Sequence, residues 1–194
     1  MQDRLREIFG RLVPGKEKLP PHVSRDPEHG LVFTKEDRHS LTLNQISKPG
    51  GGSLKFDSTA KHQSEYLREL HTQFPDYFPQ VYGLTADKRG YQMEYLPGPS
   101  LSEYIQAGGK VPSQLLEAIY HARDEIHEAG FAHGDLKQDN TILKLNDDGK
   151  IAGFKFIDPV PPVLRDAGQN YSRPELLGML READIGKMAD WTTE

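Results

Sequence analysis

Two aspartates, an asparagine and a lysine stand at spacings that let them act on one reacting group. Residues 133–140 read His-Gly-Asp-Leu-Lys-Gln-Asp-Asn, and a second carboxylate, Asp158, follows Phe156-Ile157. Asn140 and Asp158 are hard oxygen donors of the kind Mg²⁺ prefers. Lys137 places a fixed cation two residues from Asp135. Each of these residues alone reads as an ordinary polar loop position. Together they suit a reaction that depends on placing charges more than on forming a covalent intermediate. The chain has no cysteine, so thiolate nucleophiles, thiolate metal sites and disulfides are excluded.

The elements that must hold these residues can be read from apolar periodicity. A helix from about Ser113 to Ala129 carries Leu116, Ile119, Tyr120, Ile126 and His127 on or near its buried side. After the loop come strands at Thr141–Leu145 and Ile151–Ile157, joined by Asn146-Asp147-Asp148-Gly149, whose Asp-Gly pair favours a hairpin turn. A short helix at 101–107 precedes them. Upstream the pattern is strand-led. Gly30–Thr34 and Leu41–Ile46 suggest a hairpin, and Val81–Leu84 and Tyr91–Leu96 a second, around the turn Asp87–Gly90. Between these hairpins a helix capped by Asp57 or Ser58 runs to Phe74, with Tyr66, Leu67, Leu70 and Phe74 as its apolar stripe. Pro49-Gly-Gly-Gly52 must be a loop, and it lacks the Gly-Lys-Ser/Thr ending of a phosphate-binding loop.

The loop at 133–140 and the downstream Asp158 resemble the protein kinase-like superfamily, whose pattern is H-R-D-L-x-x-x-N followed by D-F-G. His133, Asp135, Leu136 and Asn140 match at the right spacing. Four fixed positions agree by accident on the order of once in a thousand such chains. Met93-Glu94-Tyr95-Leu96-Pro97-Gly98 is similar to the hinge that binds adenine through its backbone, and Tyr171-Ser-Arg-Pro-Glu175 to the A-P-E element. The resemblance implies an α+β, two-lobed minimal kinase-like fold, with a small antiparallel-sheet N-lobe and a truncated helical C-lobe. It also implies ATP and Mg²⁺ as cofactors. In that reading Asp135 accepts or orients the proton of the attacking hydroxyl and Lys137 reaches the transferring phosphate. Asn140 and Asp158 hold the metal, and His133 is a scaffold.

Several positions depart from the family pattern. Gly134 stands where protein kinases carry Arg, as in kinases resembling aminoglycoside and choline phosphotransferases, and Pro159 replaces the Phe of D-F-G. Neither a phosphate-gripping Arg nor a Phe-driven switch is therefore expected. Aligning Leu41–Ile46 with the V-A-I-K strand puts Asn44 at the phosphate-binding Lys and Gln63 at its Glu partner on the following helix. Lys48 or Lys55, partnered by Glu65 or Glu69, are alternative sources of the missing charge. Gly30 is the one glycine kept in the nucleotide-covering loop, and Glu94, Tyr95 and Leu96 complete the expected nucleotide contacts.

The expected organisation is an N-terminal helix and linker at 1–22, an N-lobe at 23–97 and a C-lobe at 98–194. Only 36 residues follow Asp158, a size similar to the compact kinases that bacterial pathogens inject into host cells. A formal charge of -5 gives no bulk attraction for nucleic acid. No apolar run reaches the roughly 20 residues a membrane helix needs. The chain is thus expected to be a monomer acting on a protein substrate, a host protein among the candidates, in the cytoplasm or after specialised secretion. The alternatives are a kinase-fold binding module that has lost transfer, and a small-molecule phosphotransferase.

Overall fold

The computed structural model describes residues 19–36, 45–47, 53–165, 170–189 and 191. The expected helix within 1–22 and the glycine loop at 49–52 lie outside them.

The first lobe is a four-stranded antiparallel sheet in the order β1-β2-β6-β5, built from β1 (Val23–Asp26), β2 (Gly30–Glu36), β5 (Val81–Leu84) and β6 (Gly90–Glu94). The register sets Lys35 opposite Tyr91 and Val32 opposite Glu94. Helix α1 (Ala60–Gln73) packs on β5 and β6. Its N-cap is Thr59, one residue beyond the expected Asp57 or Ser58; the Asp57 carboxylate instead accepts from the Thr59 amide at 3.1 Å. All four residues of the expected stripe, Tyr66, Leu67, Leu70 and Phe74, are buried.

The first expected hairpin is corrected by the structure. β2 pairs with β1 and β6, while β3 (Gln45–Ser47) pairs with β4 (Ser53–Lys55) as a separate ribbon. The alternating residues of 41–46 suited either partner, and a period of two does not say which strand lies alongside. The ribbon has a neighbour of its own beyond Asp158. Lys55 accepts from the Arg165 amide at 2.9 Å and Val163 from the Asp57 amide at 2.8 Å.

The second lobe holds α2 (Leu101–Gln106), α3 (Ser113–Glu128), the hairpin β7 (Thr141–Leu145) and β8 (Ile151–Phe156), and α4 (Arg173–Met188). Reciprocal Ser–Glu caps, Ser100 with Glu103 and Ser172 with Glu175, start α2 and α4. Leu116, Ile119 and Ile126 of α3 are buried, and the Tyr120 hydroxyl bonds the Met188 and Trp191 carbonyls at 3.1 Å. Gly98 is fixed by close approach, since a Cβ there would collide with the Leu143 carbonyl.

One apolar core runs through both lobes, from Leu67, Leu70 and Phe78 to Ile119, Leu136, Phe156 and Leu180. Each such side chain contributes about 1.5–3 kcal/mol. An ion pair buried at its lysine end also joins them. Lys155 on β8, 5% exposed, places its ammonium 2.6 Å from the Glu94 carboxylate on β6 and 3.1 Å from the Phe78 carbonyl. Glu94→Ala strands that ammonium and is expected to cost about 3 kcal/mol in urea denaturation. Replacing both partners by apolar residues, Glu94→Leu with Lys155→Met, should recover most of the loss. A single variant as stable as the parent would show that the pair does not join the lobes.

Candidate active site

The loop after α3 is held from below by one carboxylate. Asp184 of α4 has no exposed surface; its Oδ2 accepts from the His133 amide at 2.9 Å and its Oδ1 from the Leu136 amide at 3.1 Å. His127 Nε2 lies 3.2 Å from the same Oδ2. His133 is buried beside Phe78 and Phe156 and ties the loop to the strand end. Its Nδ1 accepts from the Asp135 amide at 3.2 Å, so Nε2 carries the hydrogen given to the Ile157 carbonyl at 2.8 Å. Burial holds the imidazole below its ordinary range, which keeps it neutral in that arrangement.

Asp135 collects three donors. Asn140 Nδ2 lies 2.9 Å from both its carbonyl and its Oδ2, Lys137 is 2.9 Å from Oδ2, and Lys187 of α4 pairs with Oδ1. Burial opposes the carboxylate, but the two lysines prevail and hold its pKa below the usual range. Gly134 has φ +81, and a Cβ there would meet Leu180 Cδ2 at 2.6 Å and Val160 Cβ at 2.9 Å. A side chain at this place meets both a strained backbone and a crowded pocket wall.

Asp158 follows β8 with φ +62, a backbone region uncommon for residues with a side chain. Its carboxylate pairs with the ammonium of Lys35 on β2, so this contact joins the two lobes at the site. Lys35 was missed in the sequence, although Val32-Phe33-Thr34-Lys35 has the V-x-x-K spacing of V-A-I-K. The neighbouring Tyr91 hydroxyl is buried without a hydrogen-bond partner among the described residues.

The structure thus brings together Asp135, Lys137, Asn140 and, through His133 and Ile157, Asp158. Asn44 and Lys48 lie outside the described residues. Lys55 is exposed on the ribbon, Glu65 is exposed on α1, and no hydrogen bond or ion pair joins either of them, or Gln63, to Lys35 or Asp158 among the described residues. Glu69 is bound elsewhere, with both oxygens 2.5–2.6 Å from Arg173. Gly30 closes a tight turn in which Asp26 accepts from the Glu28 and His29 amides at 2.9 Å. Glu94 and Tyr95 continue β6 toward β2, with the Tyr95 amide 3.4 Å from the Leu31 carbonyl, and Leu96 follows them.

No family model matches the chain. Among curated proteins it is similar to the serine/threonine-protein kinase LATS1 of Mus musculus, 25% identical over 133 residues that cover 63% of this chain and 11% of the relative. It is also similar to the MAP kinase kinase MKK1/SSP32 of Saccharomyces cerevisiae, 23% identical over 165 residues covering 68% of this chain and 32% of that protein. The chain is kinase-like. It spans at most about a third of the length of these relatives. Among solved structures, the Rad53 1-466 complex with AMP-PNP aligns with a TM-score of 0.45 and 19% identity, over 73% of this chain and 41% of that one.

Asn140 and Asp158 could hold a metal only together with a ligand that brings its own oxygens. Among the described residues no group of three or more His, Cys, Asp or Glu would hold an ion by itself. Asn140 uses its amide nitrogen on Asp135, which leaves the amide oxygen, and Asp158 supplies a carboxylate. One carboxylate, one amide oxygen and bound phosphate oxygens form the hard donor set that Mg²⁺ accepts. Among the described residues no helix is long and apolar enough to cross a membrane.

Proposed function

We propose that this chain transfers the γ-phosphoryl group of ATP, with Mg²⁺, to a protein hydroxyl, that of serine or threonine ahead of tyrosine. The observation that carries this reading is the Lys35–Asp158 contact, made by a cation from the sheet and a carboxylate next to the loop bearing Asp135, Lys137 and Asn140. In this reading Lys35 holds phosphate charge from the sheet side. Asp135 accepts or orients the hydroxyl proton, Lys137 faces the group in transfer, and Asn140 and Asp158 hold the metal. His133 keeps Asp135 and Asp158 in register through its two ring nitrogens. Mg²⁺ bound with ATP supplies neutralisation of phosphate charge.

The binding-module alternative starts from an absent phosphate-binding lysine, and the place of Lys35 against Asp158 speaks for the transfer reading instead. The small-molecule alternative drew on Gly134, for which the crowding of Val160 and Leu180 gives a steric reason unconnected with substrate. Incubation with γ-labelled ATP and Mg²⁺ tests the proposal. The chain should label itself or an added protein, and Lys35→Met should lower the rate about 10²-fold, the effect of removing one preorganised charge from a transfer site. Labelling by Lys35→Met at the parent rate would overturn the assignment.

A further inference from the structure

Lys187 belongs to none of the sequence motifs, yet its ammonium pairs with Asp135 Oδ1 and lies 3.4 Å from the Gly134 carbonyl. It stands three residues beyond Asp184, so the helix that anchors the loop also delivers this second cation. The oxygens of Asp135 are divided between two sides. Oδ2 faces Lys137 and Asn140, both assigned above to the transferring phosphate and its metal, and Oδ1 faces Lys187. A hydroxyl approaching Asp135 away from the nucleotide must therefore come past Lys187. The side chains of Lys187 and Lys137 are 40% and 45% exposed, against 12% for Asp135, so an acceptor meets the ammonium groups first.

We propose that Lys187 sets acceptor specificity, and that the site takes a hydroxyl flanked by a carboxylate in an acidic protein segment. This inference rests on the phosphotransferase reading. For Oδ1 to bond a hydroxyl it must release Lys187, and an ammonium at a partly desolvated edge then needs another anion. A carboxylate next to the acceptor hydroxyl provides one. A basic neighbour instead adds a third cation to Lys137 and Lys187, which disfavours it. The net charge of -5 repels acidic partners at long range, so the preference arises from local contact and not from steering.

The test is a peptide library with a central Ser, Thr or Tyr, each flanking position fixed in turn as Glu, Gln or Lys, phosphorylated with labelled ATP and Mg²⁺. The parent should prefer Glu over Gln by about fivefold in kcat/KM, the scale of one exposed ion pair, and should disfavour Lys. Lys187→Met should flatten the Glu/Gln ratio mainly through KM, and Lys187→Arg should retain it. A parent that labels Glu and Gln peptides equally, or a Lys187→Met variant that keeps the full preference, overturns the specificity role alone. A parent that labels no peptide, itself or any added protein overturns the phosphotransferase reading and this inference with it.

Discussion

Asp184→Ala is expected to lower folding stability by about 3–5 kcal/mol and to abolish transfer, although Asp184 touches no reacting group. The magnitude follows from what the carboxylate does. With no exposed surface it receives the amides of His133 and Leu136 and the ring of His127, so its removal leaves buried donors without acceptors. A domain stable by about 5–15 kcal/mol loses a large part of that margin. Asp184→Asn is the finer probe. It keeps the shape but offers only one acceptor oxygen where the neighbours are donors, and it should cost about 1–3 kcal/mol. His127→Gln disturbs one of the three contacts and should cost least. Urea denaturation gives the order of stability, and rates measured at low temperature, where the weaker variants stay folded, separate lost alignment from lost fold. A folded Asp184→Ala protein with parental activity would show that the loop positions itself.

This dependence marks the boundary of what the sequence makes legible. Local signals were clear: the α1 stripe, the Asp-Gly turn before β8 and the spacing of the 133–140 loop each reflect forces acting over a few residues. Lys35 was hidden by competition between strands. Leu41–Ile46 alternates as well as Gly30–Thr34, and the motif spacing sits at the far end of β2, where only pairing with β6 reveals it. Asp184 and Lys187 carry no motif at all. They reach the loop only when the long-range packing of α4 against the core is in place, and the sequence reading assigned no helix at 173–188 from which an inward-facing polar residue could be picked. Gln63 shows the converse. Counting back from Leu67 put it at a partner position, but among the described residues no hydrogen bond joins it to Lys35, whose carboxylate partner comes from the other lobe.

Asp135→Ala should reduce transfer by about 10²–10⁴-fold, the range for a positioned proton acceptor, while leaving the fold nearly untouched. The contrast with Asp184 is physical. Two of the three side-chain donors on the Asp135 carboxylate, Lys137 and Lys187, are 45% and 40% exposed and can turn to water, so the stability change should stay within about 1 kcal/mol. The affinity for Mg-ATP should change little, because Lys35 and Asp158 are separate from this carboxylate and Asn140 keeps its bond to the backbone carbonyl of residue 135. Acid supplies an independent check. The lysines hold Asp135 below the ordinary carboxylate range and burial holds His133 below the ordinary imidazole range, so both keep their working forms at neutral pH. A depressed pKa in the folded state means that the associated stability is present above the unfolded pKa and fades as pH falls through the folded one. The parent's rate should thus be flat through neutrality and decline only on the acid side, as Asp135 loses its charge and protonated His133 can no longer accept from the Asp135 amide. Asp135→Asn, folded and binding nucleotide but without that activity, would place the loss in the proton step. A rate within tenfold of the parent, or no acid decline, would remove Asp135 from the role of proton acceptor.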